Sequence, residues 1–342
     1  MQTPKEVTIY DIAKKLGVSG ATVSRALNNH AAINEKTKKK IQDTARKMGY
    51  RSNNFASNLR RQKTNTIGII IHELNSQFIT SVLAGIERVT GGTGFDLIIG
   101  HSSESAEKEI ANAHNLFHKR VDGLIASLAY DTKNTAHFEP FIQKGIPVVF
   151  FDRVEANSPG TKIVIDNLKA GFDATAHLLQ QGCKNIAHIT GNTTRNVYAD
   201  RLKGYKKALA KHGLSYKKEH VIINDLSESA SIIAAKQIAA MRPMPDGAFI
   251  TNDFCAAVCI KAWKEMGLKI PLDIAVVGFN NDAISKIVEP SLTTINYPGV
   301  EMGEVAAKCL LQQMNGTAPV NSNNTNYIHS ELLVRESSVR NI

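Results

Sequence analysis

Short apolar runs recur along the chain and are separated by segments of helical length. Eight such runs lie at residues 67–71, 96–100, 123–127, 146–151, 186–190, 221–223, 247–251 and 274–279. Unbroken apolar runs that alternate with helices indicate parallel strands covered on both faces. The pattern therefore predicts an α/β body built on parallel sheets.

This body contains an internal repeat. Three positions recur 119 residues later, starting with residue 67 and its counterpart 186: Ile67, Gly85 and Gly94 are matched by Ile186, Gly204 and Gly213. Each set reads as a strand, a helix and a glycine turn. Two similar open sheets side by side predict a cleft between them, and ligands of such sheets bind at the carboxyl ends of the strands.

Polar side chains are common just past the predicted strands. The residues at these points are Asn75, Phe78, His101, Ser102, Asp152, Arg153, Asn192, Asp225, Asn252, Asp253, Asn280 and Asn281. Carboxylates and amides suit bidentate bonding to vicinal hydroxyls or to polar ring edges. The alternative role is capping of the next helix, which Asn and Asp favour, and we expect about half of the set to be caps.

The excess positive charge lies in one short segment. Residues 1–64 contain fourteen Lys and Arg and four Asp and Glu, whereas the rest of the chain contains 27 of each sign. A basic segment joined to a neutral body is typical of a module that binds a polyanion.

The basic segment has the pattern of three short helices. In the first, apolar residues fall on one face at 9, 12, 13 and 16, Thr8 and Asp11 form a capping box, and Gly17 ends the helix. Ser19 caps a second helix, and Asn34 caps a third that Gly49 closes. This arrangement predicts a helix-turn-helix, whose second helix enters the DNA major groove.

The second helix exposes the side chains that would meet DNA. Its exposed positions are Gly20, Ala21, Thr22, Ser24 and Arg25. Arg25 can donate two hydrogen bonds to a guanine edge or clamp a phosphate. For Thr22 and Ser24, capping or phosphate contact is the alternative.

Other classes of protein find little support. No GxSxG, HExxH or P-loop motif occurs, and the eleven histidines show no metal spacing, so we expect no enzyme, no cofactor and no metal site. No apolar run approaches the ~18 residues that span a bilayer, and the first residues lack a signal peptide. We therefore expect a cytoplasmic, nucleoid-associated protein without a membrane partner.

The segment "TIYDIAKKLGVSGATVSRALN" resembles the N-terminal signature of the lactose-repressor/galactose-repressor family of transcription regulators. The resemblance continues through "NTIGIII", "VDGLI", "IPVVFFDR", "IDNLKAGFDATAHLLQQG", "DRLKGYKKAL", "TNDFCAAV", "IAVVGFNN" and "PSLTTIN". It implies a helix-turn-helix head, a hinge and a two-subdomain body like a periplasmic binding protein. It also implies a homodimer on a near-palindromic double-stranded operator.

The resemblance assigns DNA-binding positions in the head and the hinge. The DNA-binding set is Thr8, Tyr10, Ser19, Gly20, Ala21, Thr22, Ser24, Arg25, Asn28, Asn34, Ala56 and Leu59. Gly20 departs from the pattern, because many relatives carry a larger side chain there. The "ASNL" segment matches a hinge helix that folds on operator binding, in which Leu59 would wedge into the minor groove.

The resemblance also assigns effector-binding positions. Together with the strand-end residues they give the set Asn75, Phe78, Asp152, Arg153, Arg201, Asn252, Asp253 and Asn280. Asn280 replaces an aspartate that is common in relatives, and Leu226 lies where some sugar-binding members have an aromatic ring. The expected effector is a sugar or sugar phosphate first, and a nucleobase or nucleoside second.

The resulting prediction is a ligand-responsive repressor in three parts. They are a head at 1–51, a hinge at 52–66, and a body at 67–342 whose N-subdomain comprises 67–165 and 297–324 and whose C-subdomain comprises 166–296 and 325–342. A solute-binding protein for transport and an α/β enzyme with a nucleic-acid-binding head are the alternatives. The first would need an exported chain without its basic head, and the second would need a catalytic constellation.

Overall fold

The computed structural model describes residues 7–50 and 63–340. The chain forms two compact units, residues 1–64 and 65–342, and each is described by itself. The hinge positions Ala56 and Leu59 lie outside the described residues.

The head is a bundle of three helices. They are α1 (Ile9–Leu16), α2 (Gly20–Leu27) and α3 (Glu35–Lys47). Six small or branched side chains form its core: Ile12, Ala13, Val23, Ala26, Ile41 and Ala45. Gly17 ends α1 with a φ of 67°, a left-handed conformation that glycine adopts without steric cost. The predicted helix-turn-helix is confirmed.

The body contains two six-stranded sheets with helices on both faces. The strands are β1 (Thr66–Ile71), β2 (Asp96–His101), β3 (Gly123–Ala126), β4 (Val148–Phe151), β5 (Thr161–Ile165), β6 (Ile186–Thr190), β7 (Val221–Ile223), β8 (Gly247–Ile250), β9 (Ala275–Asn280), β10 (Thr293–Asn296), β11 (Thr325–Ile328) and β12 (Glu331–Leu333). The helices are α4 (Gln77–Thr90), α5 (Ala106–His118), α6 (Glu139–Gln143), α7 (Asn167–Gln180), α8 (Asn196–Lys211), α9 (Glu228–Ala240), α10 (Asp253–Glu265), α11 (Ile284–Ile287) and α12 (Gly299–Met314).

Each sheet is the centre of one lobe. The first lobe has the strand order β11-β5-β4-β3-β1-β2 and the second has β12-β10-β9-β8-β6-β7. The eight apolar runs all contain strands, and four of these, β3, β4, β6 and β8, are fully buried, as expected for parallel strands covered by helices. One detail differs from the prediction of parallel sheets, because β12 pairs antiparallel with β10.

The internal repeat reflects two close helix crossings. On Gly85 of α4, an added Cβ would lie 2.1 Å from the carbonyl oxygen of Val300 in α12. On Gly204 of α8, it would lie 2.1 Å from the carbonyl oxygen of Leu168 in α7. The repeated glycines therefore permit backbone contact between paired helices, one pair in each lobe.

The chain passes between the lobes three times. It crosses after β5, again between β10 and α12, and finally between β11 and β12. The expected boundary at residue 325 is wrong, because Thr325–Ile328 pairs with β5 of the first lobe. The first strand also begins at Thr66, one residue before the predicted start of the body.

Candidate functional site

The exposed surface of α2 is held in place by local hydrogen bonds. The Ser19 hydroxyl accepts from the backbone N–H of Thr22 at 3.1 Å and lies 2.9 Å from the Thr22 hydroxyl. The Asn28 side chain donates to the Ser24 carbonyl at 2.9 Å and so caps the end of the helix. Arg25 is exposed and makes none of these bonds. Arg25 is therefore the long exposed side chain of α2 on which the predicted base contact depends.

Capping roles in the head agree with the sequence. Thr8 and Asp11 form the predicted capping box, with the Thr8 N–H donating to Asp11 at 2.8 Å. Asn34 caps α3 by accepting from the N–H of Thr37 at 2.8 Å. Thr8 and Asn34 thus serve as helix caps, and their contacts with DNA stay a prediction.

Gly20 is covered by the ring of Tyr10. A Cβ at residue 20 would lie 3.2 Å from this ring, which is 72% exposed. Ala21 beside it is exposed and offers only a methyl group. The start of α2 therefore presents an aromatic ring and small residues where the family resemblance predicts a longer side chain.

The cleft of the body lies at the carboxyl ends of the strands of both sheets. Arg153 follows β4 of the first lobe and is 5% exposed. Its Nη1 donates to both carboxylate oxygens of Glu104, at 2.7 and 2.8 Å, and its Nη2 donates to the hydroxyl of Tyr198 in the second lobe at 3.2 Å. Burial raises the pKa of Glu104, although Arg153 opposes this shift. Arg153 is therefore part of the contact between the lobes.

Arg201 is fixed on α8 in the second lobe. Its Nε donates to Asn167 at 2.8 Å and its Nη1 donates to the carbonyl of Thr251 at 3.2 Å. The guanidinium carbon lies 3.5 Å from the ring centroid of Phe279. Burial lowers the pKa of Arg201. These contacts place a preorganised cation at the ends of β8 and β9.

Tyr297 connects the predicted effector residues. Its hydroxyl donates to Asp152 at 2.6 Å, and its ring stacks on Phe78 with centroids 4.2 Å apart. The Arg201 guanidinium lies 5.6 Å from the same ring. Burial raises the pKa of Asp152, whose backbone has a φ of 58°. The Asp152 carboxylate is thus already engaged by the chain itself.

Asn252 and Asp253 serve the start of α10. Asn252 caps the helix by accepting from the N–H of Cys255 at 3.1 Å. Asp253 is fully buried and accepts from Thr294 at 2.6 Å and from the N–H of Asp282 at 2.8 Å. Burial raises the pKa of Asp253 to about 7. Asp253 therefore links the start of α10 to β10 and to the loop after β9.

A cavity of about 400 Å³ opens at the junction of the lobes, near the start of α12. Phe78, Asn280 and Tyr297 are among its lining residues. The Asn280 side chain donates to Asp282 at 3.2 Å. Asn75, from the same predicted set, is exposed. The structure thus brings Phe78, Asp152, Arg153, Arg201 and Asn280 to the region between the lobes.

Several bonds close this region directly. The side chain of Asn196, at the start of α8, donates to the carbonyl of Asp152 and accepts from the N–H of Val154, both at 3.0 Å. Arg195 donates to the Thr132 carbonyl at 2.5 Å. These bonds tie the second lobe to the loops after β3 and β4 of the first lobe.

Two expectations about the strand-end residues need correction. Only Asn252 of that set is the N-cap of a described helix, whereas serines and Asp166 cap four of the other described helices of the body. The set also omitted Glu104, Asn196, Tyr198 and Tyr297, which form much of the lobe contact. Tyr198 carried a sequence signal, since it lies three residues before Arg201 on one helix. Tyr297 follows β10, a strand that no apolar run marks because it contains two threonines.

No helix among residues 7–50 and 63–340 is both long and apolar enough to cross a bilayer. The family model described as "Bacterial regulatory proteins, lacI family" matches residues 8–53, and a periplasmic binding protein-like domain matches residues 175–338.

Full-length relatives are transcription regulators. Catabolite control protein A of Priestia megaterium is 32% identical over 310 residues, which cover 90% of this chain and 93% of that protein. The HTH-type transcriptional repressor CytR of Escherichia coli K12 is 30% identical, with coverage of 97% and 96%. The solved lac repressor dimer bound to operator and the anti-inducer ONPF superposes with a TM-score of 0.87, at 25% identity and coverage of 98% and 100%.

Proposed function

Because this chain belongs to the lacI family of bacterial regulatory proteins, we propose that it is a ligand-responsive repressor that binds a near-palindromic operator as a dimer. The observation that carries the proposal is that one chain joins a basic three-helix head to a two-lobed body with polar groups between its lobes. The head presents Arg25 and Tyr10 on a three-helix bundle, and its residues 7–50 contain nine Lys and Arg against three Asp and Glu. The body presents polar groups between two lobes.

The head would dock through α2 in the major groove. Its surplus of cations would contact phosphates, which supplies affinity without sequence information. Arg25 would supply base readout, with Ser19, Thr22 and Ser24 near the backbone of the DNA. The hinge positions Ala56 and Leu59 stay a prediction from the family resemblance, with Leu59 entering the minor groove.

The effector would bind between the lobes. Asn280 and Tyr297, which line the cavity, would supply an amide and a ring. Arg201, Arg153 and Tyr198 do not line it, and would supply donors and a ring face elsewhere between the lobes. A sugar or sugar phosphate is the first candidate class, and a nucleobase or nucleoside is the second. An effector shifts the lobe arrangement only by its differential affinity for the two arrangements. It would therefore act on the hydrogen bonds that Asn196 and Arg153 each make to the opposite lobe.

Operator binding by the full chain tests this function. The fragment 65–342 is expected to bind the operator of the full chain at least about a thousandfold more weakly, because it lacks the head that provides specific contacts. Fluorescence anisotropy with a labelled operator, selected from random DNA by the full chain, gives both affinities. Equal affinity of fragment and full chain would contradict the assignment.

The same titration identifies the effector class. It is repeated with sugars, sugar phosphates, nucleosides and nucleobases added to the full chain. A change of operator affinity with one class, and with no other, assigns the effector. If none of the four classes changes operator affinity or the melting temperature of fragment 65–342, the proposed effector chemistry is wrong.

We propose that the second lobes of the two subunits contact each other at a groove beside α11. This groove has a volume of about 490 Å³ and is lined by Ile260, Ile287 and Val288 among others. Ile287 is 71% exposed, and charges of both signs, Lys261 and Glu289, border the groove. Exposed apolar area of this kind gains from burial, and mixed charges suit a self-complementary two-fold contact. The similar lac repressor is a dimer in its solved complex.

Ile287→Arg is expected to convert the dimer to a monomer, because two buried arginines would face each other near the two-fold axis. Leu272→Arg is the matched control, since Leu272 is 66% exposed and does not line the groove. Sedimentation velocity at micromolar protein measures both variants. A dimeric Ile287→Arg protein, or a monomeric Leu272→Arg protein, would place the contact elsewhere.

A further inference from the structure

Two exposed histidines meet on the last turn of α5. His114 and His118 are four residues apart, and their Nε2 atoms lie 2.9 Å from each other. The ring planes are inclined by 68°, with centroids 4.2 Å apart. Both rings are exposed, so a hydrated ion can reach them. The expectation of no metal spacing among the histidines overlooked this pair.

The separation of the two nitrogens suits one type of coordination. With metal–nitrogen bonds of about 2.0–2.1 Å, nitrogens 2.9 Å apart subtend an angle of about 90° at the ion. That angle corresponds to adjacent positions in square-planar or tetragonal geometry, which Cu²⁺ and Ni²⁺ prefer. A tetrahedral Zn²⁺ ion would need the nitrogens about 0.4 Å farther apart, on the same bond lengths. The nitrogen separation therefore fits Cu²⁺ or Ni²⁺ more closely than Zn²⁺, and rotation of the exposed rings would turn both lone pairs toward the ion.

The position on the helix also favours a cation. His118 is the last residue of α5, at the end of the helix where the helix dipole is negative. Lys119 and Arg120 follow directly and oppose the cation. Because both are exposed, water and salt screen their repulsion. The helix end and the two ring nitrogens thus remain a favourable site.

We propose that His114 and His118 form a bidentate site for a divalent transition metal ion, Cu²⁺ or Ni²⁺, with water in the remaining positions. Within the described residues no cluster of three or more His, Cys, Asp or Glu is arranged around a metal, so two protein ligands define the site. In the metal-free pair, one Nε2–H donates to the other Nε2. In the loaded site both rings are neutral, carry the proton on Nδ1 and bind the ion through Nε2. The site is independent of the proposed DNA-binding function.

Titration of the untagged full chain with NiCl2 and CuSO4, followed by calorimetry, tests the site. One ion per chain is expected, and the electron paramagnetic resonance spectrum of the Cu²⁺ form should show two equatorial nitrogens. His114→Gln and His118→Gln should each lower the affinity at least tenfold, since loss of a direct ligand costs no less than the roughly 10–100-fold loss seen for outer-sphere partners. His329→Gln, which removes an exposed histidine elsewhere, should bind like the unmodified chain.

Three results of these titrations would overturn the proposal. Unchanged Ni²⁺ affinity in both His114→Gln and His118→Gln would overturn the proposal, as would an equal loss in His329→Gln. Loss in only one of the paired variants would also overturn it, because a bidentate site requires both rings. Circular dichroism of each variant verifies that the chain stays folded, which is expected because both side chains are exposed.

Discussion

Arg25→Ala is expected to lower the operator affinity of the dimer by at least about thirtyfold. A bidentate contact between arginine and a guanine edge contributes about 1–3 kcal/mol, and a two-fold dimer makes it twice. The change would therefore cost about 2–6 kcal/mol. The loss should also depend on sequence, because it removes readout at one base pair of each half-site.

Arg46→Ala is the matched control for Arg25→Ala. Arg46 is exposed on α3 and carries the same charge, so its loss changes the net charge of the head equally. We expect a smaller loss of affinity that is uniform across operator sequences and weaker at high salt. Affinities of both variants for the selected operator and for single-base substitutions of it distinguish the two roles. Parallel, sequence-independent losses would reduce Arg25 to a phosphate contact.

Gly204→Ala is expected to lower the free energy of unfolding of the body by about 2–3 kcal/mol. This is the opposite of the effect that helix propensity predicts. Propensity alone favours alanine over glycine by about 1 kcal/mol in a helix interior. The added Cβ, however, would lie 2.1 Å from the Leu168 carbonyl oxygen and 2.6 Å from the Phe172 nitrogen. Both atoms belong to the backbone of α7, so α7 and α8 must move apart and lose packing.

Lys207→Ala on the same helix is the matched control, because it introduces an alanine at an exposed position. Lys207 is exposed, and its replacement should change the free energy of unfolding by no more than about 0.5 kcal/mol. Urea unfolding followed by circular dichroism compares the two variants. A Gly204→Ala protein as stable as Lys207→Ala would rule out the close crossing. Because Arg201 lies one turn before Gly204, the displaced helix should also weaken effector binding.

The strands that the sequence revealed are mostly apolar, although β6 includes the buried His188. The four that it missed, β5, β10, β11 and β12, contain lysine, threonine, asparagine or glutamate. In β5, Lys162 is buried because its ammonium donates to the Ser158 carbonyl at 2.6 Å and to Asn323 at 2.5 Å. Those partners are distant in sequence or specific to the fold, so the periodicity of the sequence does not predict them. The wrong boundary at residue 325 has the same origin, since β11 is recognisable only by its pairing with β5.

The residues of the candidate cleft were also predicted only in part from the sequence. Arg201, Arg153 and Asp152 were found because a motif or a strand end marked them. Tyr297, Tyr198 and Asn196 were missed because their roles depend on contacts between lobes, which one segment of sequence does not encode. Asp253 was assigned to the effector by its motif, yet the structure gives both of its carboxylate oxygens to neighbouring protein groups.

Local rules therefore settled much of this protein from its sequence alone. Capping residues, helical periodicity and the uneven charge determined the three-helix head, and apolar runs determined the two α/β halves, because each effect acts within about a dozen neighbouring residues. Only the tertiary structure decided which polar groups face each other between the lobes. Those contacts join residues more than forty positions apart, as with Arg153 and Tyr198. Their energies depend on burial and geometry, which exist only once the chain has folded.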